Sequence, residues 1–295
     1  MGMTTLRELL GPNVRVADGG VGTGLQGYSL EAGQPPEELA VDAPDELVEL
    51  HLSFVRAGSD ILLTDTFGAN SVRLGHSKYP EVERVNRAAV ACAQRAAELS
   101  GRDVLVAGSI GPTGELLAPL GTLEPDEARA AFAAQAAALE GCDLLVIETM
   151  FSLDEARAAV LGCRDSVSLP IVVSFSFDAG AAEARTMMGH TVEEVLLAMA
   201  ELGVDGIGLN CGKSLETARA TAEEFVAQMR AHGLDLPLWV KPNAGLPEPL
   251  SGRYPAEPDD MASFAVWAAD LGAAVVGGCC GTTGAHLHEI STKLG

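Results

Sequence analysis

Three cysteines stand at the ends of apolar segments, where their thiols could share one metal ion. Cys279 and Cys280 are adjacent in "VVGGCCGTTGAH", and Cys211 closes "GIGLNC". Three thiolates bind Zn²⁺ on three sides of a tetrahedron and leave the fourth position open, which is typical of a catalytic rather than a structural zinc site. Adjacent cysteines on a regular strand point to opposite faces. The glycines around the pair supply the backbone freedom that both cysteines need to reach one metal.

The open position determines what such a site would do. A substrate thiol that becomes the fourth ligand loses its proton, because zinc favours the thiolate. A zinc ion surrounded by four sulfur atoms keeps the incoming sulfur rich in electrons, so that this sulfur can attack an electrophilic carbon. The three cysteines therefore predict zinc-assisted alkylation of a thiol, and methyl transfer in particular.

The other cysteines have a simpler interpretation. Three of them lie in or at the ends of helix-like segments, and we expect them to be buried as small apolar residues: Cys92, Cys142 and Cys163. The same role is open to Cys211 if it is considered alone, and a strained disulfide between Cys279 and Cys280 is a further alternative. Six cysteines in 295 residues do not make a disulfide scaffold.

Eight short apolar segments alternate with helix-like segments, and these elements must position the thiols. The strands are predicted at 15–20, 60–67, 103–110, 143–150, 171–177, 206–211, 236–245 and 273–280. They are apolar without strict alternation, as in parallel strands buried on both faces. Most segments between them begin with a helix-start residue and end at Gly or Ser. Eight such units predict an α/β fold, the (β/α)8 TIM barrel, with a doubly wound open sheet as the alternative.

The barrel brings the polar residues at the strand ends to one mouth. Active sites of this fold lie at the C-terminal ends of the strands, so the zinc site is predicted there. Asp18 after strand one and Glu148 in strand four are two carboxylates that can hold an ammonium group. For each, a helix cap or an ion pair at the strand end is the alternative. Thr66, Asn210 and Asn243 either position a substrate or bond to loops.

The composition indicates a globular protein that binds neither nucleic acid nor membranes. Hydrophobic residues make up 47% and charged residues 20% of the chain, and the net charge is -22. Such a charge repels phosphate backbones and anionic lipid headgroups. No apolar stretch approaches the roughly 20 residues of a membrane helix. No linker or signal-peptide pattern is found, so we expect a single domain, residues 1–295, in the cytoplasm.

Two glycine-rich segments resemble phosphate-binding loops but lack essential parts. "GTGLQG" has the spacing G-x-G-x-x-G, yet a glycine and two prolines interrupt the helix that a dinucleotide site requires. "GSIGPTGELL" lacks the lysine of a P-loop, so we expect a long loop over the barrel. His286 and His288 follow the cysteine pair and are expected to have structural roles on the last helix.

The motifs together resemble the homocysteine S-methyltransferase family. The chain carries "DGGVGT", "LTDTFGAN", "GSIGPTGE", "IET", "GLNC", "PNAG" and "GGCCGTT" in the order of that family, from about Val16 to the C-terminus. The family includes the homocysteine-binding domain of cobalamin-dependent methionine synthase, betaine–homocysteine methyltransferase, and enzymes that use S-methylmethionine or selenocysteine. The resemblance implies a (β/α)8 barrel and an enzyme that methylates homocysteine to give methionine.

The resemblance also implies roles for individual residues. Asp18 resembles the residue at the homocysteine amino group, and Glu148 its partner carboxylate. The backbone amides of Gly19 and Gly20 are expected to meet the substrate carboxylate. The expected zinc ligands are Cys211, Cys279 and Cys280, and the substrate thiol that zinc activates is the only further catalytic group. Two residues beside these groups, Thr66 and Asn210, are expected to contribute to substrate binding.

The resemblance leaves the methyl donor open. Ser109 stands where the methionine-synthase type carries an acidic residue, and a serine there resembles the S-methylmethionine or selenocysteine branch, whereas "TFGAN" and "GPTGE" favour the other type. The expected donors are S-methylmethionine, S-adenosylmethionine, betaine and a methyl-corrinoid protein, since the sequence has no corrinoid-binding module. The alternatives are an acceptor such as selenocysteine or another thiol, and a non-catalytic barrel that binds thiols or zinc.

Overall fold

Eight parallel strands form one sheet in the computed structural model, which describes residues 4–179 and 184–295. The strands are β1 (Arg15–Val16), β2 (Ile61–Leu63), β3 (Leu105–Ile110), β4 (Leu144–Met150), β5 (Ile171–Phe175), β6 (Gly206–Cys211), β7 (Leu238–Pro242) and β8 (Ala273–Val276). Each strand from β2 to β7 pairs with the next along the chain, and β8 pairs with β1. This order is that of a (β/α)8 barrel, so the predicted fold is confirmed.

Helices fill the connections between the strands. They are α1 (Leu6–Leu10), α2 (Val21–Leu25), α3 (Leu39–Asp42), α4 (Pro44–Arg56), α5 (Ser71–Leu74), α6 (Val82–Ser100), α7 (Pro125–Ala138), α8 (Leu153–Ser166), α9 (Val192–Glu201), α10 (Leu215–His232), α11 (Pro258–Leu271) and α12 (Gly284–Leu294), with a 3₁₀ turn at Pro36–Glu38. Capping boxes close the first turns of α7, α9 and α11. Within the described part of the chain, no helix has the length and apolar character to cross a membrane.

Aspartate side chains help to close the barrel between β1 and β2. An isolated backbone bridge joins the two strands. Just before β2, Asp60 Oδ2 accepts a hydrogen bond from the N–H of Val16, the last residue of β1, at 3.0 Å. At the C-terminal ends of the two strands, Asp18 Oδ2 accepts one from the N–H of Leu63 at 2.8 Å. The two side chains supply acceptors that a longer strand ladder would provide, so Asp18 belongs to the closure of the barrel as well as to its mouth.

Helix α1 closes the end of the barrel opposite the predicted site. Leu6 and Leu10 are buried and belong to one cluster with inward-facing residues of the strands, among them Ile61, Val146 and Trp239. A larger cluster fills the space between the sheet and the outer helices. The sequence pattern predicted no helix before β1, so the closure of this end by α1 was not anticipated. With one end closed, a ligand enters the barrel at the C-terminal ends of its strands.

Candidate metal centre and active site

The three predicted metal ligands meet at the mouth of the barrel. Cys211 ends β6, and Cys279 and Cys280 lie in the turn after β8. The Sγ atoms of Cys211 and Cys279 are 3.2 Å apart, and the sulfur atoms of all three residues lie within 4.8 Å of one another. Zinc–sulfur bonds are about 2.3 Å long, so sulfur atoms this close can share one ion.

Left-handed backbone turns Cys211 into the site. Cys211 has a φ of 60°, and Thr149 at the end of β4 has the same value, which is rare for residues other than glycine and occurs preferentially at functional sites. Asn210 contacts both residues: its Oδ1 accepts from the N–H of Thr149 at 2.8 Å, and its Nδ2 lies 3.5 Å from Cys211 Sγ. Asn210 thus holds Thr149 and Cys211 together through its side-chain contacts. Nothing in the sequence predicted the left-handed backbone of Cys211.

Asn243 joins the two loops that carry the cysteines. Its Oδ1 accepts from the N–H of Cys280 at 2.9 Å, and its Nδ2 donates to the carbonyl of Gly212 at 3.0 Å. Next to the pair, Gly281 has a φ of 79°, and the ring of Tyr254 occupies the space that a side chain at Gly281 would fill. The turn therefore requires glycine at this position, and Asn243 has the loop-bonding role that the sequence left open.

The chemistry of the three thiols fits a divalent metal. The pKa of the Cys280 thiol is lowered to about 3, because Cys211 and Cys279 donate hydrogen bonds to its sulfur. Hydrogen bonds with the other two sulfur atoms, together with burial, raise the pKa of Cys211 well above its usual range. The close approach of the three sulfur atoms thus favours ionisation of one thiol over that of its neighbours. A cation allows all three to ionise together, and thiolate ligands favour zinc.

Asp18 is paired with a lysine that the sequence analysis did not single out. Lys241 Nζ lies 2.6 Å from Asp18 Oδ1, and the two side chains are 3% and 0% exposed. Because Oδ2 accepts from Leu63, both carboxylate oxygens of Asp18 are occupied. Lys241 lies on β7 and Asp18 lies two residues beyond β1, and inward side chains of alternate strands share a layer in this fold. Asp18 thus forms the strand-end ion pair that was its alternative interpretation.

Glu148 presents its carboxylate to the mouth of the barrel. Ser109 Oγ donates to Oε1 at 2.6 Å, and Asn210 Nδ2 donates to Oε2 at 3.3 Å. Burial raises the pKa of Glu148 to about 7, and the positive charge of Lys241 opposes that rise. Ser109, which departs from the methionine-synthase pattern, therefore orients this carboxylate where an acid would add a second charge. Of the two predicted carboxylates, Glu148 is the one that lines the cavity described below.

Three other predicted site residues make mainly structural contacts. Thr66 Oγ1 donates to the carbonyl of Ser109 at 2.7 Å. The N–H of Gly20 donates to the carbonyl of Thr282 at 3.2 Å, so this amide is not available to the carboxylate of a substrate, contrary to our expectation. Gly19 does line the cavity, and a side chain there would collide with the carbonyl of Thr282. The close approach of two backbones explains the glycine.

The remaining cysteines and the two histidines lie apart from the cluster. The cysteines outside it are buried free thiols: Cys92, Cys142 and Cys163. Cys279 and Cys280 are also free thiols and form no disulfide. His286 lies in the first turn of α12, where its Nδ1 is 2.9 Å from Thr283 Oγ1 and its Nε2 is 3.0 Å from the carbonyl of Ala256. His288 is exposed, so both histidines have the places that we expected.

A cavity of about 1130 Å³ opens at this mouth. Its walls include the three cysteines of the cluster together with Glu148 and Lys241. Cavities that bind a single drug-sized molecule measure roughly 300–1,000 Å³, so this one has room for more than a small amino acid. A molecule in the cavity can contact the sulfur cluster and the carboxylate of Glu148 at once.

The barrel and its thiol cluster define a class, that of (β/α)8 enzymes with cysteines at their strand ends that could hold a metal. Within this class, the chain belongs to the homocysteine S-methyltransferase family, whose model matches residues 15–294. The resemblance that the motifs indicated is therefore confirmed. The enzyme class that we predicted, a homocysteine S-methyltransferase, is the class of this family.

Mycobacterial methionine synthases are similar to this chain in sequence. It is 33% identical over 311 residues to the methionine synthase of Mycobacterium tuberculosis (strain ATCC 25618 / H37Rv) and equally similar to that of Mycobacterium leprae (strain TN). The match covers 99% of this chain and 25% of each relative. The chain therefore spans about a quarter of the length of these proteins.

Solved structures of the homocysteine methyltransferase MmuM from Escherichia coli share the fold. The metallated form has a TM-score of 0.78 and 25% identity, and the match covers 98% of this chain and 99% of that chain. The apo form has a TM-score of 0.71 at 25% identity and covers 96% of both chains. The similarity thus extends over nearly the whole barrel.

Proposed function

We propose that this protein transfers a methyl group to the thiol of homocysteine and so forms methionine. The observation that carries the proposal is a cluster of three sulfur atoms that opens on the same cavity as Glu148, in a chain of this family. Homocysteine has one thiol, which matches the sulfur cluster, and one ammonium group, which matches the carboxylate of Glu148. The methionine synthases and MmuM, by their names, act in the same chemistry.

We propose Zn²⁺ as the metal that Cys211, Cys279 and Cys280 hold. When bound, zinc would lower the pKa of the homocysteine thiol and keep its sulfur nucleophilic at neutral pH. The chain's own contribution is to hold the three donors together, with Asn210 against Cys211 and Asn243 against the backbone of Cys280. The existence of a metallated form of MmuM supports a metal in this family.

Glu148 is proposed to bind the ammonium group of the acceptor. Its carboxylate lines the cavity, and Ser109 and Asn210 fix both of its oxygens. An ammonium group in contact with Glu148 would favour the charged carboxylate against the effect of burial. Asp18 acts indirectly in this proposal, because it neutralises and positions Lys241.

Lys241 takes the place of the Gly20 amide as a proposed partner of the acceptor carboxylate, beside Gly19. Its ammonium group lines the cavity beside Glu148. A lysine has three N–H donors, and one of them is bonded to Asp18. An acceptor with adjacent ammonium and carboxylate groups would then lie across Glu148 and Lys241 with its thiol towards the sulfur cluster.

The test combines metal content, acceptor binding and turnover. The purified protein should contain about one zinc per chain. Homocysteine binding should release about one proton near neutral pH, because the thiol ionises in the site; calorimetry in two buffers of different ionisation enthalpy measures this release. Methionine formation is then followed with S-methylmethionine, S-adenosylmethionine, betaine or a methyl-corrinoid protein, each offered singly.

Cys280→Ala is the decisive variant, and Cys163→Ala is its control. Loss of one of three ligands should reduce bound zinc to below about a tenth of the wild-type content and abolish methionine formation. Cys163 is buried in α8, outside the cluster, so its replacement should leave metal and turnover intact. Full turnover by Cys280→Ala would refute the proposal. Metal and homocysteine binding without turnover from any donor would indicate a non-catalytic barrel instead.

A further inference from the structure

The end of β4 turns two adjacent side chains into the same cavity. Glu148 and Thr149 are neighbours in the chain, and both line the cavity at the mouth of the barrel. Neighbouring residues of a regular strand point to opposite faces. The pairing of β4 with β5 is irregular between Ile147 and Met150, and Thr149 has a φ of 60°. The irregular backbone therefore brings a hydroxyl group to the cavity beside the carboxylate of Glu148.

The left-handed backbone of Thr149 is unfavourable for a residue of its type. A positive φ is uncommon outside glycine and is an outlier for a β-branched residue. Such strain persists where the surrounding structure enforces it, and it clusters at functional sites. Here Asn210 holds the backbone in place, because its Oδ1 accepts a hydrogen bond from the N–H of Thr149 at 2.8 Å. Glycine would adopt the same φ without strain, so the presence of a threonine side chain requires an explanation.

The amide of Asn210 orients the hydroxyl of Thr149. Asn210 Nδ2 lies 2.6 Å from Thr149 Oγ1, and an amide nitrogen can only donate. The hydroxyl therefore accepts from Asn210 and keeps its own proton for another partner. Cys211 Sγ lies 3.7 Å from the same oxygen, a distance at which a hydroxyl can donate to the larger sulfur atom. The geometry thus leaves the proton of Thr149 available to Cys211.

We propose that Thr149 is a positioning residue of the site, and that its hydroxyl donates a hydrogen bond to the sulfur of Cys211. The inference rests on the proposed methyl transfer to homocysteine and concerns how the chain stabilises the bound thiolate. Three cysteine thiolates and a homocysteine thiolate around one divalent cation carry two excess negative charges. A hydrogen bond to one of these sulfur atoms stabilises that charge, and hydrogen bonds to charged groups are stronger than those between neutral groups.

Thr149 also links the two groups that homocysteine must contact at once. It follows Glu148 directly in the chain, and its hydroxyl contacts Cys211. Asn210 Nδ2, which bonds to this hydroxyl, also donates to Oε2 of Glu148 at 3.3 Å. One set of hydrogen bonds thus holds the carboxylate proposed for the ammonium group and one sulfur of the cluster. The excess negative charge is largest when the homocysteine thiolate is bound, so loss of the hydroxyl should weaken homocysteine binding in particular.

Three substitutions separate the hydroxyl from the strain of the backbone. Thr149→Val keeps the β-branch and loses the hydroxyl, Thr149→Ser keeps the hydroxyl, and Thr149→Gly loses both the hydroxyl and the strain. We expect zinc-loaded Thr149→Val to bind homocysteine roughly tenfold more weakly than the wild type in calorimetry, and Thr149→Ser to restore most of this affinity. In urea, Thr149→Gly should unfold at a higher concentration than Thr149→Val, because glycine adopts a positive φ without strain.

Cobalt reports on the hydrogen bond without homocysteine. Co²⁺ is loaded in place of zinc, and the charge-transfer band from sulfur to cobalt is recorded. The band should move to longer wavelength in Thr149→Val and stay in place in Thr149→Ser, because hydrogen bonding at a cysteine sulfur tunes its bond to a metal. Thr221→Val is the matched control. The hydroxyl of Thr221 donates to the carbonyl of Thr217 at 2.9 Å within α10, so its loss should leave the band and homocysteine binding unchanged.

The role of Thr149 is wrong if Thr149→Val keeps the wild-type cobalt band or the wild-type affinity for homocysteine, or if Thr149→Ser is as impaired as Thr149→Val. A urea midpoint of Thr149→Gly at or below that of Thr149→Val would show that the backbone is not strained. If the zinc-loaded wild type itself does not bind homocysteine, the proposed function fails instead, and the cobalt band alone decides whether the hydrogen bond exists.

Discussion

Lys241 lies buried beside two acidic side chains, and its removal should cost more stability than the removal of Asp18. Lys241→Met leaves Asp18 and Glu148 without a cation, and an uncompensated buried charge costs roughly 3–5 kcal/mol. Asp18→Asn leaves Lys241 near Glu148 and should cost less. Lys241→Met leaves two buried acids without a cation, whereas the double variant Asp18→Asn/Lys241→Met leaves one. The double variant should therefore be more stable than Lys241→Met. Urea denaturation of the three variants measures this order.

Lys78→Met is the surface comparison for this prediction. Lys78 Nζ is 2.9 Å from Asp42, but 58% of its side chain is exposed, and exposed ion pairs contribute little to stability. Its replacement should therefore have a small effect. Equal destabilisation by Lys78→Met and Lys241→Met, or a double variant less stable than Lys241→Met, would contradict the role of Lys241 as the counter-charge of the site.

His51 predicts how the stability of the protein changes in acid. Its ring is fully buried in α4 without a partner for either nitrogen among the described residues, and burial lowers its pKa from 6.5 to about 4. The unfolded chain takes up a proton near the ordinary value, whereas the folded protein takes it up only near the lower one. Stability is therefore lost as the pH falls through this window. Between pH 7 and pH 5 the loss should be about 2 kcal/mol.

Denaturant unfolding of His51→Gln at the two pH values measures this contribution. The variant should be less dependent on pH than the wild type by the predicted amount, because glutamine does not titrate. His288→Gln is the control, since the exposed side chain of His288 is in contact with water in both the folded and the unfolded chain. An unchanged pH dependence in His51→Gln would show that the buried ring does not govern the acid response.

The sequence predicted the meeting of the three cysteines better than the charges around them. Cys211 ends β6 and the cysteine pair follows β8 by a few residues, and the topology of a barrel brings such strand ends together whatever the packing. Lys241 stands inside the apolar run "LPLWVKP", which is a signal for a buried ion pair, but its partner follows only from the layers that β1 and β7 share. The left-handed backbone of Thr149 has no sequence signal, because it depends on how the end of β4 packs against Asn210.

At the scale of elements, the turn after β8 places two of the three ligands, and Gly281 determines its shape. The φ of 79° is strained for any other residue, and Tyr254 fills the space beside it. Gly281→Ala should therefore displace Cys280 and weaken zinc binding roughly 10–100-fold, the usual effect of disturbing the support of a metal ligand. Competition with a chromophoric chelator measures the affinity.

Gly233→Ala separates backbone strain from damage to the site. Gly233 ends α10 with a φ of 65°, and no atom lies within 4 Å of the position of an added Cβ. This variant should lose about 1 kcal/mol of stability and keep the zinc affinity of the wild type. If both glycine variants bind zinc equally well, the turn does not position Cys280 as described.

The elements were predicted correctly in order, but less well at their ends. The predicted strands ran to residues 20, 67 and 280, whereas β1, β2 and β8 end at Val16, Leu63 and Val276. Ala17 follows β1, the β-branched Thr64 follows β2, and glycines follow β8, so composition alone does not mark where pairing stops. Strand pairing stops at these residues because the chain turns there, at the C-terminal mouth of the barrel.

At the scale of the whole molecule, the three cysteines of the proposed metal site come from distant parts of the barrel. Cys211 and Cys279 are separated by 68 residues in sequence. The full set of ligands exists only when β6 and β8 are in place, so zinc should bind the folded chain far better than the unfolded one. A ligand with this preference stabilises the folded state by mass action, by about 4 kcal/mol at a thousand times its Kd.

Removal of the metal with a chelator should therefore lower the Tm by roughly 5–10 °C, since 1 kcal/mol corresponds to about 2 °C in a chain of this size. Calorimetric scans before and after chelation measure the change, and added zinc should restore the original value. Cys280→Ala should show no such shift, because its site is already incomplete. A shift of equal size in that variant would place the stabilising metal at another site and separate the barrel's stability from its thiol cluster.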